Sequence, residues 1–302
     1  MPESVGHRLF APPPGPPPPP QAYYAAPPPP GPPPGYDELA AQYPAQGYGP
    51  PPPPPPPVLS YNVSPALNAS EDECEAGDQF IRENPIAPPR PLQPHEINAI
   101  DSGQIHLLPP AHFRGGTTRG VDGTTLLQSR PGCPDTTLVS HVPLYSAWRQ
   151  SPNTIYYEVQ ILSLGRDSSV AIGFAAVPYP PFRLPGWHRG SIGVHADDGH
   201  RYACDADGGV PLTEPFQRGD VVGLGLELRT AQVWFTRNGA LAGGWNLREG
   251  REPDAEVWGN EWEGLDGASD VYAAVGVCGS ASAIVNVGGA RAGSPWSWTP
   301  AA

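Results

Sequence analysis

Ile155-Tyr-Tyr-Glu-Val-Gln-Ile-Leu-Ser-Leu164 places Ile155, Tyr157, Val159 and Ile161 on one side of an extended chain, with Tyr156, Glu158 and Gln160 on the other. That alternation predicts a β-strand covered on one face. Gly165-Arg-Asp167 then turns the chain toward residues 169–175, and the two runs are read together as a hairpin. Farther along, residues 220–229 (DVVGLGLELR) and 232–237 (QVWFTR) flank Thr230-Ala231, a spacing that opposes their apolar residues across a second hairpin. Asn238-Gly239 marks another tight turn, because both residue types accept a positive φ. Short strand-like runs at 191–195, 200–204, 272–278 and 283–287 complete the series. No long helical period appears in this part of the chain, so the expected fold class is all-β, an antiparallel β-sandwich.

Outward from this region the composition changes. The chain has 302 residues with 46 prolines and 36 glycines, and 25 of those prolines fall within the first 60 positions, whereas all eight tryptophans lie at Trp148 or beyond. Runs such as 16–20, 27–30 and 50–57, interleaved with Tyr23, Tyr24, Tyr36, Tyr43 and Tyr48, favour polyproline II, which exposes its backbone and closes no core. The acidic run Glu71-Asp-Glu-Cys-Glu75 and five more prolines between 85 and 94 extend that character. Residues 1–95 are therefore expected to be a disordered arm, and 96–302 one folded domain with its core at about 100–290.

Charge and motifs exclude several functions. The net charge is −13, and all seventeen basic residues are arginines, which argues against nucleic acid or an anionic membrane as the main partner. No stretch approaches the roughly 18 consecutive apolar residues of a membrane-spanning helix, so direct membrane insertion is not expected. Cys74, Cys133, Cys204 and Cys278 lack C-x-x-C spacing and read as reduced thiols of a cytoplasmic protein. There is no G-x-S-x-G elbow and no phosphate loop, so neither an enzyme nor a cofactor is expected. His195-Ala-Asp-Asp-Gly-His200 could in principle gather metal ligands, but Asp-Asp-Gly is ordinary hairpin chemistry, and the hairpin reading is preferred with no metal assigned.

Several of these segments, taken in order, match a known pattern. Pro178-Tyr-Pro-Pro-Phe-Arg-Leu-Pro-Gly186, Ser191-Ile192, Asp198-Gly-His-Arg-Tyr202, Gly219-Asp-Val-Val-Gly223 and Phe235-Thr-Arg-Asn-Gly239 resemble the SPRY domain. The order and spacing are most similar to fungal endosomal SPRY adaptors of WW-domain, HECT-type ubiquitin ligases, and similar also to Ran-binding-protein-M-like SPRY scaffolds. The resemblance implies a non-catalytic two-sheet sandwich whose end loops hold short segments of a client protein. It draws attention to Phe182, Arg183, Leu184 and Trp187, which sit in a proline-braced loop. Two aromatic rings and a guanidinium can grip a peptide with little loss of side-chain freedom. The same apolar residues can instead fold back over the sandwich edge, and both readings stand at this point. The segment beyond Gly279 departs from the family's Gly-Gln and aromatic-rich final strand, so the resemblance does not by itself imply a fully ordinary closing strand there.

In the arm, Pro33-Pro34-Gly35-Tyr36 has the P-P-x-Y form of a WW-domain ligand. A WW groove seats a polyproline ridge between aromatic rings and the tyrosine beside it, so Pro33, Pro34 and Tyr36 are the expected contacts. The run 50–57 is read first as a passive linker, with profilin as a candidate ligand and, for lack of an adjacent basic residue, SH3 domains less so. The expectation is a non-enzymatic adaptor that joins a client to a WW-domain ubiquitin ligase, with a scaffold subunit whose arm is only a tether as the alternative. Adaptor-type members carry an amino-terminal membrane anchor, and Met1-Pro-Glu-Ser-Val-Gly-His-Arg-Leu-Phe10 shows no apolar run. The expected location is the cytoplasm, with recruitment to endosomal membranes through partners.

Overall fold

A computed structural model describes residues 69–206, 208–249 and 262–299; Pro33, Pro34, Tyr36 and the run 50–57 lie outside the described residues. The elements, in chain order, are helices α1 (Glu71–Glu83) and α2 (Pro94–Ser102), then strands β1 (Leu107–Leu108), β2 (Gly115–Arg119), β3 (Thr124–Ser129) and β4 (Thr136–Ser140). Strands β5 (Thr154–Leu164), β6 (Ser169–Ala176), β7 (Ser191–His195), β8 (His200–Ala203) and β9 (Val210–Pro211) follow. The last five are β10 (Val221–Glu227), β11 (Gln232–Arg237), β12 (Ala240–Asn246), β13 (Val271–Cys278) and β14 (Ala281–Asn286). One sheet has the order β1-β4-β13-β6-β7-β8-β9 and the other β12-β11-β10-β5-β14-β3-β2. Their strand pairings are antiparallel.

The alternation read in β5 sets the core. Ile155, Tyr157, Val159 and Ile161 point inward and join Val222, Leu224 and Leu226 of β10, Ile172 and Phe174 of β6, and Val275 and Val277 of β13. Burying such side chains between two sheets supplies the main stabilisation of a sandwich. Tyr157 also ties the layers together: its hydroxyl lies 2.7 Å from the Gly173 carbonyl and 2.9 Å from that of Ala274, and it accepts the Gly173 N–H at 2.9 Å. The β10–β11 hairpin forms with Ala231 at φ 59°, and Asn238 and Gly239 take φ of 54° and 77° in the β11–β12 turn.

Three expectations need correction. First, β5 and β6 are not a hairpin, because the turn after Leu164 carries the chain from one sheet to the other. The reason lies in β6, whose eight residues are all buried. It is a central strand covered on both faces, and it pairs with β13 and β7 instead. Second, a closing strand does form: β14 lies between β5 and β3, with a register shift against β5 at Ser282/Ala283 and with Ala283 and Val285 inward. Beyond it the chain folds back over the outward side of β5, where the Ser297 and Trp298 N–H groups donate to the Glu158 carboxylate at 2.8 and 2.9 Å. Third, the described part of the expected arm, residues 69–95, is not a featureless linker. Ser70 and Glu73 form a reciprocal capping box at the start of α1, and the extended stretch after it is pinned by Ala87 N–H donating to Val177 O at 2.9 Å.

Candidate functional site

Residues 178–190 leave β6 and lie flat across the outer face of β13, β6 and β7. A lane of glycines makes this approach possible. A methyl group on Gly173 would sit 2.7 Å from Pro185 Cβ, one on Gly193 2.2 Å from the Pro185 carbonyl oxygen, and one on Gly276 2.6 Å from Pro185 Cδ. Pro185 is therefore seated where three strands present no side chain. The rest of the loop is clipped down by polar contacts. Thr137 N–H donates to Pro181 O at 2.8 Å, the Thr137 hydroxyl to Arg183 O, and the Tyr179 hydroxyl to Leu184 O at 2.6 Å.

This places the predicted site residues unequally. Leu184 and Trp187 are buried with Ala171 and Tyr202 in a small cluster on the sheet's outer face. Arg183 is 1% exposed and Trp187 3%. Of the two arrangements left open by the sequence, the loop is seen folded back on the sheet, with α1 over what remains. Phe182, half-buried, meets Phe80 of α1 edge to face at 6.0 Å.

Arg183 organises a compact polar cluster. Its guanidinium carbon lies 4.4 Å over the Trp187 ring. Nη1 is 3.3 Å from Asp135 Oδ2 and 4.0 Å from Glu73 Oε2, and Nε donates to His188 Nε2 at 3.3 Å. Because His188 Nε2 accepts, its proton sits on Nδ1 and is donated to Asp78 Oδ1 at 3.1 Å. Burial, with the Arg183 charge beside it, pushes the His188 pKa down to about 4, so the ring is neutral at physiological pH. Burial raises Asp135 to about 6 against the pull of Arg183. Glu73 is held below its ordinary value, chiefly by the Ser70 backbone N–H and also by Arg183. Arg183 Nη2 is buried without a hydrogen-bond partner.

Glu73, Gly77, Asp78, Phe80, Asp135 and His188 were not singled out by sequence. The signal for α1 was present in Ser70-Glu-Asp-Glu73, the capping-box spacing just inside the acidic run. For Asp135 no local signal exists, since it approaches Arg183 only through the sheet order. The hairpin at 195–200 forms as expected. Asp198 accepts from His200 N–H at 2.8 Å and from the Tyr202 hydroxyl at 2.6 Å, and Gly199 takes φ 73°. His195 Nε2 lies 2.9 Å from Pro185 O and His200 Nδ1 2.8 Å from Gly208 O, so both rings hold backbone carbonyls. Among the described residues no helix is long and apolar enough to cross a membrane.

Comparison with known proteins places this geometry. Residues 154–289 match the SPRY domain family, a span running from the start of β5 to just past β14 and containing the loop at 178–190. The chain is 43% identical over 91 residues to SPRY domain-containing protein C285.10c of Schizosaccharomyces pombe, covering 30% of this chain and 24% of that protein. It is 41% identical over 88 residues to Ran-binding protein 9 of Danio rerio, covering 29% and 15%. It is 40% identical over 88 residues to Protein ssh4 of Sclerotinia sclerotiorum, covering 29% and 17%. The chain thus spans under a quarter of the length of these relatives. Helix α1 and Asp135 lie outside the family match.

Proposed function

Because the chain is a SPRY-domain protein, and SPRY domains are non-catalytic protein-interaction modules, we propose that it is an adaptor joining two proteins. The SPRY domain holds a client through the loop containing Phe182, Arg183, Leu184 and Trp187, and Pro33-Pro34-Gly35-Tyr36 recruits a WW-domain, HECT-type ubiquitin ligase. The observation that carries this reading is the pairing, in one chain, of a SPRY domain at 154–289 with a P-P-x-Y ligand. A polyproline segment ending in tyrosine is the chemistry a WW groove takes. The chain contains no lysine, so a ligase held close by the arm meets no side-chain amine on the adaptor itself. The adaptor works in the cytoplasm and reaches endosomal membranes through its partners.

A second reading has a specific support. Identity to Ran-binding protein 9 of Danio rerio, 41%, equals that to Protein ssh4 of Sclerotinia sclerotiorum, 40%, within the precision of such a comparison. On that reading the chain is a scaffold subunit and the proline arm a tether or a profilin ligand. Proximity labelling in the native cell separates the two, using the full chain with and without Tyr36→Ala. The adaptor reading expects a WW-domain ligase to leave the labelled set in the variant while client proteins stay. A labelled set unaffected by Tyr36→Ala overturns it in favour of the scaffold.

A further inference from the structure

The loop at 178–190 is covered by a segment of its own chain, and the chemistry of that cover identifies what the loop accepts. Helix α1 reaches the loop through Glu73, Gly77 and Phe80, at i, i+4 and i+7 along one helical stripe, and through Asp78, which follows Gly77 on the flank of that stripe. Glu73 faces Arg183, Asp78 accepts from His188, and Phe80 packs on Phe182. Gly77 is the one buried residue of the helix. A methyl group there would lie 2.2 Å from His188 Nε2, so the imidazole occupies the space that a side chain would need.

The cover has the make-up of a ligand more than that of a core element. It contributes no strand to either sheet, and both sheets are paired without it. It lies outside the SPRY match, and it joins the domain through the extended, proline-rich stretch 84–93, so it can leave without displacing another element. The helix is acidic, and two of its carboxylates meet the loop: Glu73 approaches Arg183 and Asp78 accepts from His188, while Arg189 Nη2 donates to Ile81 O at 3.5 Å. Its fit is also incomplete. Glu73 stays 4.0 Å from Arg183 Nη1, and Arg183 Nη2, on a side chain 1% exposed, has no hydrogen-bond partner. A buried guanidinium with an unused donor is a site for a carboxylate, and a bidentate pair would satisfy it.

Resting on the reading of this loop as the client surface, we propose that the loop takes acidic helical segments with a glycine at the contact point, and that α1 is its resident occupant. A client segment of the pattern carboxylate, then glycine at i+4, carboxylate at i+5 and aromatic at i+7 displaces α1 and competes with it for Arg183 and His188.

The test uses the full chain and, as probe, a labelled synthetic peptide of residues 69–87. Gly77→Ala favours the helix itself but prevents α1 from seating on His188, so the full-length variant carries an empty loop. The peptide is expected to bind the Gly77→Ala chain at least ten-fold more tightly than the unaltered chain, and a peptide carrying Gly77→Ala to bind neither. If Gly77→Ala lowers the melting temperature of the sandwich, the pair Glu73→Gln and Asp78→Asn replaces it with the same expectation. Equal binding to covered and uncovered chains, or equal binding by the two peptides, overturns the proposal. Proximity labelling with the Gly77→Ala chain then tests the underlying reading separately. Gain of client labelling supports it, whereas peptide binding as expected with an unaltered client set removes the loop as client surface and leaves α1 as its occupant.

Discussion

Arg183 shows how one residue type serves either of two readings until its neighbours are known. In the sequence it stands between Phe182 and Leu184 in a loop that could grip a peptide or cover an edge. In the fold its guanidinium lies over Trp187, beside Asp135, and under α1. Replacing it empties a buried position and removes the counter-charge of the part-buried Asp135, a loss of roughly 1–3 kcal/mol, below that of a fully buried pair broken from one side. Arg183→Ala is therefore expected to lower the melting temperature by several degrees, measured by thermal unfolding of the full chain; an unaltered midpoint would show that the cluster contributes nothing to stability. Client-capture experiments are better served by Gly77→Ala, which leaves the guanidinium in place. The aromatic and cationic character of the loop was legible in the sequence. Its burial was not, because the glycines that let Pro185 lie on the sheet, Gly173, Gly193 and Gly276, come from three strands far apart in the chain.

Elements were legible where their pattern is local. The alternation of β5, the β10–β11 hairpin and the Asn238-Gly239 turn carry their own signals, and all three form. Whether a chain leaving a turn returns to the same sheet is not a local property, and the β5–β6 connection was misread for that reason. The two helices were missed because acidic, proline-flanked segments of 13 and 9 residues resemble linkers. α2 in particular is held by one carboxylate. Glu96 Oε2 accepts from Gln93 N–H at 2.7 Å and from Arg90 Nη1 at 2.8 Å, and Oε1 from Arg90 Nη2 at 2.5 Å. Glu96→Ala is expected to cost about 1–2 kcal/mol through the lost cap and charge-assisted bonds, read as a shift of the denaturant midpoint. The Arg90 hydrogen bonds hold Glu96 down to about 2 against an ordinary value of 4.5. Its contribution is thus full above pH 4.5 and is lost as the pH falls from there toward 2.

At the scale of the molecule, burial sets the pH response of the sandwich. His106 is pushed to about 4 by burial and by the His141 ring stacked on it at 3.7 Å, and His188 to about 4. His141 and His195 are shifted down as well, each chiefly by burial. Below the ordinary value of 6.5 the unfolded chain takes up protons that these folded rings refuse, so stability falls as the pH drops from 6.5 toward 4. Asp135 and Asp270, both raised by burial, act in the opposite sense over the lower part of that range. With four histidines against two carboxylates, the melting temperature is expected to be lower at pH 5 than at pH 7; a rise on acidification would show that the carboxylates prevail.

In the proposed function one chain holds a client at its sandwich and a ligase at its arm. The most direct measurement is calorimetric titration of the full-length protein with an isolated WW domain of a HECT-type ligase, repeated with Tyr36→Ala. Binding in the micromolar range, about −6 to −8 kcal/mol, is expected, and its loss with Tyr36→Ala. Absence of binding, or an affinity that Tyr36→Ala leaves unaltered, would contradict the proposed function.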